Sequence, residues 1–390
     1  MNTIRHLDSA LTTHVRTFKE TLVLLGARQV GKTTMLTRLF PGAKYATVDN
    51  EHVRMILDRY DITAYRQLIT RDTTIFILDE AHLLKDPGRA VKILYEHLPE
   101  VRLIVTGSSA FFIKNRATES LAGRKIEYHL TPLTISEYLT QTGTTGELFY
   151  PILRHLQSGT QFPKTRVYPF DLGAITQTVM RFGLYPATMD HPDKTLYLAN
   201  LAESVVYRDL LELSLIEHRS AARNLLRLLA FQTGNLVNIS ELAAKLGIDV
   251  KTVRRYLTLF EQSFILFTLP PFFKSGRKEI GKMAKVYFFD TGLRNAVIGN
   301  FDPMHARPDS GVLFENLVVA EVYKANLYGR FGYSLHFWRT TDGSEVDLVI
   351  TKGDVITGME IKLSARRINQ AFINRYSDAT LSTITPENYL

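Results

Sequence analysis

Along the first third of the chain, short apolar runs alternate with amphipathic stretches. "TLVLLGA", "KYATVD", "TIFILDE", "RLIVTGSS" and "KIEYHLTPL", all between residues 20 and 140, are bounded by polar or turn-forming residues and read as strands. The intervening stretches read as helices, and this alternation predicts an α/β layer with a parallel sheet. Residues 1–19 read as a helix ahead of it. From 141 to 230 the pattern changes: "LYLANLAESVVYRDLLELSL" spaces its apolar residues three and four apart, as on one helix face. Residues 231–272 form a compact helical segment ending in the apolar "FILFTLPPFF". From 281 onward strands return around one helical stretch, "VLFENLVVAEVYKAN". The pattern shows no internal repeat and no low-complexity linker, and it divides the chain into four modules: 1–140, 141–230, 231–280 and 281–390.

Between the first strand and the next helix lies "GARQVGKTT", which fits G-x-x-x-x-G-K-[ST] from Gly26 to Thr33. Glycines let the backbone close around phosphate oxygens, and successive N–H groups with the helix N-terminus face the anion. In this pattern Gly26, Gly31 and Thr34 shape the cradle, Lys32 holds the β- and γ-phosphates, and Thr33 ligates Mg²⁺. "TIFILDEAH" supplies the complement. An apolar strand delivers Asp79 and Glu80 at its carboxyl end, where open α/β sheets bind ligands. Asp79 is placed to hold Mg²⁺ through water, and Glu80 to polarise the attacking water as general base. The cofactors read from these motifs are ATP and Mg²⁺.

Composition narrows the setting. Hydrophobic residues make up 45% and charged residues 22% of the 390, as in an ordinary globular protein. The chain has no cysteine, which excludes disulfides and Cys-ligated metals and points to a cytoplasmic protein. No apolar run approaches the about 18 residues that a membrane span needs, and "MNTIRHLDSALTTHVRTF" lacks the pattern of a secretory signal. Lys and Arg exceed Asp and Glu by 8, which suits a polyanionic partner such as DNA and equally suits a mildly basic enzyme.

Taken together, "GARQVGKTT", "LDE", "TGSS" and "LAGRKIEYHLTPLTISEYL" resemble the AAA superfamily, and in particular prokaryotic ATPases that carry these elements. The resemblance covers nearly the whole chain. It implies that Thr106 or Ser108, with Ser109 beside them at the end of "RLIVTGSS", orients the attacking water, although strand-end capping explains them as well. It further implies that Arg124 is an arginine finger reaching a neighbouring subunit's nucleotide, with Arg116 as a competitor. The chain would then be a homo-oligomer, of which a hexameric ring is one form. In that family a "GG-x-P" element follows in the helical lid. Here "FGLYPATM" keeps Gly183 and Pro186 but has Leu184 in place of the second glycine. Arg208 and Asp209 in "VVYRDLLEL" also match.

"NISELAAKLGIDVKTVRRYLTLFEQSFIL" reads helix–turn–helix, with Ser240 as the N-cap candidate, Ala243 three residues on, and Gly247 at the turn. "FILFTLPPFF" would make the wing of a winged helix. Lys251, Thr252, Arg254 and Arg255 on the second helix are then DNA-contact candidates, unless the segment is a packing module. In the last module Glu315 lies on a helix, Asp347 starts a strand, and Glu360 and Lys362 stand two apart on the next strand, hence on one face. This order resembles the PD-(D/E)xK nuclease fold, and "KVYFFDTGLRN" matches the segment preceding that domain in the same ATPase family. Glu315, Asp347 and Glu360 would share Mg²⁺ or Mn²⁺, and Lys362 would position or activate water. A solvated charged hairpin, or a fold that holds DNA or a partner without cutting, remain alternatives. The leading expectation is a DNA-binding AAA-type ATPase that moves on, remodels or processes DNA. A STAND-like regulatory switch and a branch-migration motor with an inactive nuclease fold are the competitors.

Overall fold

A computed structural model describes residues 3–107, 121–158, 167–204, 216–273, 283–364 and 370–390. The described residues form two compact units. One runs to Pro132 and takes in Gln262–Phe264; the other is built from the remainder, beginning at Leu133.

The first unit is a five-stranded sheet: β1 (Thr21–Gly26), β2 (Lys44–Thr47), β3 (Ile75–Asp79), β4 (Arg102–Gly107) and β5 (Lys125–Leu130), in the order β2-β3-β4-β1-β5. Every pairing is parallel. The five apolar runs expected to be strands are these five strands, trimmed at their polar ends. The interior strand β1 is buried along its whole length, so it reads as a continuous apolar run instead of an alternating one. The core includes Val23, Phe76, Leu78, Val91, Leu94, Val105 and Tyr65. Parallel pairing places the carboxyl ends of β1, β4 and β3 side by side, with Leu24 opposite Thr106 and Leu78 opposite Val105.

The second unit begins with helices, among them Ile135–Gln141, Leu172–Phe182 and Lys194–Ser204. Helices Arg219–Phe231, Ile239–Leu246 and Val250–Gln262 follow, then an antiparallel pair, β6 (Leu266–Leu269) and β7 (Lys285–Phe288). The cap of the Ile239–Leu246 helix corrects the expectation for Ser240. Asn238 is the N-cap, its side chain accepting from the Glu241 N–H, and Gly247 closes the helix in the left-handed conformation. Only Leu266–Leu269 of "FILFTLPPFF" is strand.

The chain then forms the helix Ser310–Gly329 and a sheet of β8 (Ser334–Arg339), β9 (Glu345–Lys352), β10 (Val355–Ile361) and β11 (Thr380–Ile384). Strands β8, β9 and β10 are an antiparallel meander, and β11 returns parallel to β10. The Ser310–Gly329 helix is apolar nearly all round, and twelve of its residues are buried, so it is an interior helix. Trp338, Val349, Phe372 and Tyr376 pack together on one side of the sheet. A Cβ on Gly358 would meet Leu381 and Phe372 at 2.9 Å, which explains a glycine inside β10. Among the described residues no helix is long and apolar enough to cross a membrane.

Candidate functional site

The carboxyl end of β1 leads directly into the helix Lys32–Leu39. Gly31, at φ 92°, stands in the conformation that favours glycine. Gly26 has a second reason to be glycine: a Cβ there would lie 2.2 Å from the carbonyl oxygen of Leu130 on β5. The buried Arg5, which sequence reasoning overlooked, braces this loop by donating to the carbonyls of Val30 and Thr131 at 3.0 and 2.7 Å.

Lys32 is buried, and its ammonium donates to the carbonyl oxygens of Gly26 and Ala27, each at 3.0 Å. The ammonium is thus held over the loop itself. Thr33 Oγ1 donates to Asp79 Oδ2 at 2.8 Å, and Thr34 is exposed beside it. The other oxygen of Asp79 accepts from Thr106 Oγ1 and, at 3.2 Å, from the Glu80 N–H. Tyr45, on the neighbouring strand β2, donates its hydroxyl to Asp79 Oδ2 as well. Burial and the Asp79 carboxylate hold that phenol well above its usual range, so it stays a donor. Lys32, Thr33, Asp79 and Thr106 are therefore brought together at adjacent strand ends. A hydroxyl and a carboxylate in contact, beside an ammonium and a helix N-terminus, are hard-oxygen and anion-binding groups that fit a Mg²⁺–nucleotide.

Glu80 takes a left-handed backbone at φ 55°, unusual for a residue with a side chain and typical of functional positions. Its Oε2 lies 3.1 Å from His82 Nδ1. Burial works to raise the Glu80 carboxyl, but His82, Lys32 and Arg28 outweigh it and bring it down to about 2, so Glu80 is ionised at neutral pH. Arg124 lies just before β5, partly exposed, with a guanidinium nitrogen 3.1 Å from Glu96 Oε1 on the helix Pro87–His97. Ser108, Ser109, Arg116, Arg208 and Asp209 lie outside the described residues.

In the second unit, Gly183 closes the Leu172–Phe182 helix at φ 67°, and a Cβ there would sit 2.1 Å from an Asp290 carboxylate oxygen. Leu184, which stands where the family pattern has glycine, donates its N–H to the same carboxylate at 2.5 Å and accepts from the Leu133 N–H at 2.9 Å. Asp290 also caps the helix Thr291–Ile298, so "FGLYP" and "FFDTGL" form one packing joint.

On the helix Val250–Gln262, Lys251, Arg254 and Arg255 are exposed. Thr252 is engaged locally: its N–H and hydroxyl both donate to Asp249, at 2.8 and 2.6 Å. Arg255 pairs with Glu217 at 3.1 Å.

The carboxyl-terminal candidates are arranged differently from the expected metal set. Asp347 and Glu360 lie on the neighbouring strands β9 and β10, and Lys362 donates to Asp347 Oδ2 at 2.8 Å, as does the Ile361 N–H. Glu315, however, faces Lys285. That lysine, on β7, is almost fully buried, with its ammonium 3.3 Å from Glu315 Oε1, 4.0 Å from Asp347 Oδ1, and paired to Glu345. Tyr287 donates to Glu315 at 2.6 Å. Among the described residues no three His, Cys, Asp or Glu side chains are placed to hold a metal ion. A divalent ion shared by Glu315, Asp347 and Glu360 is not shown, and the Lys285 ammonium stands beside two of the three. Sequence reasoning missed Lys285 and Glu345; the only signal was a lysine opening an otherwise apolar strand, "KVYFF".

Residues 18–139 match a family described as an AAA domain. Residues 175–303 and 310–384 match two families described as domains of unknown function, DUF8612 and DUF4143. The chain is similar to an uncharacterized protein of Mycobacterium tuberculosis, 25% identical over 350 residues, covering 87% of this chain and 70% of that one. It is similar to another of Methanocaldococcus jannaschii, 25% identical over 352 residues, covering 85% and 73%. Among solved structures, the Walker-type ATPase of Pyrococcus abyssi superposes with a TM-score of 0.45 at 14% identity, covering 74% of this chain and 94% of that one. The AAA-domain match spans the first sheet and the Gly26–Thr33 P-loop pattern.

Proposed function

We propose that the protein binds Mg²⁺–ATP at the Gly26–Thr34 loop, hydrolyses it, and couples the cycle to DNA in the cytoplasm. The observation that carries the first part is the convergence of Thr33, Asp79 and Thr106 around one carboxylate, with Lys32 and an ionised Glu80 beside them. Lys32 would leave the loop carbonyls for the β- and γ-phosphates. Thr33 and Asp79 would hold Mg²⁺, which supplies charge neutralisation at the phosphates. Glu80 would align and deprotonate the attacking water, and Thr106 would fix Glu80 through its backbone N–H. Arg124 would exchange Glu96 for the nucleotide of an adjacent copy, which makes the working form an oligomer.

DNA is the partner favoured by the net excess of 8 basic residues and by the exposed Lys251, Arg254 and Arg255 on one helix. Phosphodiester cleavage is not part of the proposed activity, because Glu315, one of the three carboxylates it would use, is paired with Lys285, which also lies 4.0 Å from Asp347. The test is the ATPase rate with single-stranded, duplex and branched DNA. Turnover that rises with DNA supports the reading; slow turnover unaffected by any DNA form favours a switch that answers to protein partners.

If the Val250–Gln262 helix touches the duplex, replacing Lys251, Arg254 and Arg255 together by alanine should flatten the dependence of log affinity on log salt. The expected loss is about 0.9 in slope for each phosphate contact removed. Fluorescence-anisotropy titrations at several salt concentrations measure it. An unchanged slope places the DNA contact elsewhere.

A further inference from the structure

The carboxylate cluster of the carboxyl-terminal module is closed by a charge of its own. Glu315, Glu345 and Asp347 face three cationic side chains: Lys285 touches Glu315 and Glu345 and lies near Asp347, Lys362 donates to Asp347, and Arg339 lies 3.4 Å from Glu345. The Lys285 side chain is 2% exposed, and it projects from β7, outside the sheet that carries Asp347 and Glu360. The Phe337 ring lies 5.6 Å from its ammonium. Glu315 is further fixed by Tyr287 and is in reach of Gly234, where a Cβ would stand 3.3 Å from Oε1.

We propose that Lys285 is a tethered cation standing among Glu315, Glu345 and Asp347 in the place of a divalent ion, so that this module works without a metal, and that removing the ammonium opens a divalent-cation site there. Three physical points support it. Buried carboxylates need a compensating cation, and a lysine in the same chain supplies one without drawing it from solution. A divalent ion entering the cluster would have to displace an ammonium whose side chain is 2% exposed, leaving a buried unpaired charge. A lysine ammonium saturates three acceptors and offers no open coordination position, so it cannot polarise a phosphoryl oxygen or lower the pKa of water as a metal does. The cluster then serves to join β7, the Ser310–Gly329 helix and the sheet, leaving the module as a binding element.

The test is Mn²⁺ binding by the nucleotide-free, full-length chain, followed by electron paramagnetic resonance. Four proteins are compared: wild type, Asp347→Asn, Lys285→Ala and the Lys285→Ala/Asp347→Asn double variant. Any Mn²⁺ held at Thr33 and Asp79 is common to all four and cancels. Wild type and Asp347→Asn are expected to give superimposable isotherms. Lys285→Ala is expected to gain one site, at least about tenfold tighter than any wild-type site here, because Glu315, Glu345 and Asp347 then share one positive charge fewer. The double variant should lose that site again. A wild-type Mn²⁺ site that disappears in Asp347→Asn would overturn the proposal, and so would a folded Lys285→Ala with the wild-type isotherm. Should Lys285→Ala fail to fold, the comparison of wild type with Asp347→Asn decides alone.

Discussion

Arg124→Ala is expected to lower kcat for ATP by about 10³-fold or more while changing nucleotide affinity little, as removal of a transition-state arginine does. The side chain is poised for such a role. It is partly exposed, immediately precedes β5, and pairs at the surface with Glu96 at 3.1 Å, a contact that contributes little and is easily exchanged. Mixing with a Lys32→Ala chain tests the geometry: one copy brings an intact arginine, the other an intact loop. Mixed oligomers should recover part of the activity. If demonstrably mixed oligomers recover none, Arg124 does not act between copies, and Arg116 becomes the alternative.

Glu80→Gln is expected to bind ATP with near wild-type affinity but to hydrolyse it about 10²- to 10⁴-fold more slowly, the range for loss of a positioned general base. The amide keeps the shape of the side chain and loses the charge that His82, Lys32 and Arg28 hold in place. Stopped-flow binding of a fluorescent nucleotide separates the two effects. A variant that loses binding instead would make Glu80 structural, a brace for the left-handed turn at the end of β3. The acid side of the rate profile carries a second expectation. With the Glu80 carboxyl down at about 2, the base is already ionised at neutral pH and stays so on mild acidification, so lowering the pH from 7 to 5 should not remove activity through this group.

What was legible in the sequence was whatever is encoded locally. The glycine–lysine–threonine loop announces itself because the conformation at Gly31 and the helix start at Lys32 are fixed by neighbours in sequence. Asp79 and Glu80 are visible because an apolar strand ends on them. The same holds for the five strands of the first sheet. Contacts between distant strands were not legible. Tyr45 reaches Asp79 only because β2 pairs with β3 in a register that places Thr47 opposite Asp79. Lys285 meets Glu315 and Glu345 only through the packing of β7 against a helix and a sheet. A lysine inside an apolar run gives no hint of which carboxylates it will neutralise. The missed cap was a different kind of error. Asn238 with Glu241 three residues on was present in "NISEL", but Ser240, next to it, drew the assignment.

The central claim is that ATP is hydrolysed at the loop following β1. Steady-state phosphate release by the purified full-length chain with Mg²⁺–ATP, compared with Lys32→Ala under the same conditions, tests it most directly. The account predicts measurable turnover in wild type and a loss of at least about 10²-fold in Lys32→Ala, because the phosphates lose the ammonium now held over Gly26 and Ala27. Equal turnover by the two proteins, or none by wild type with or without DNA, would contradict it.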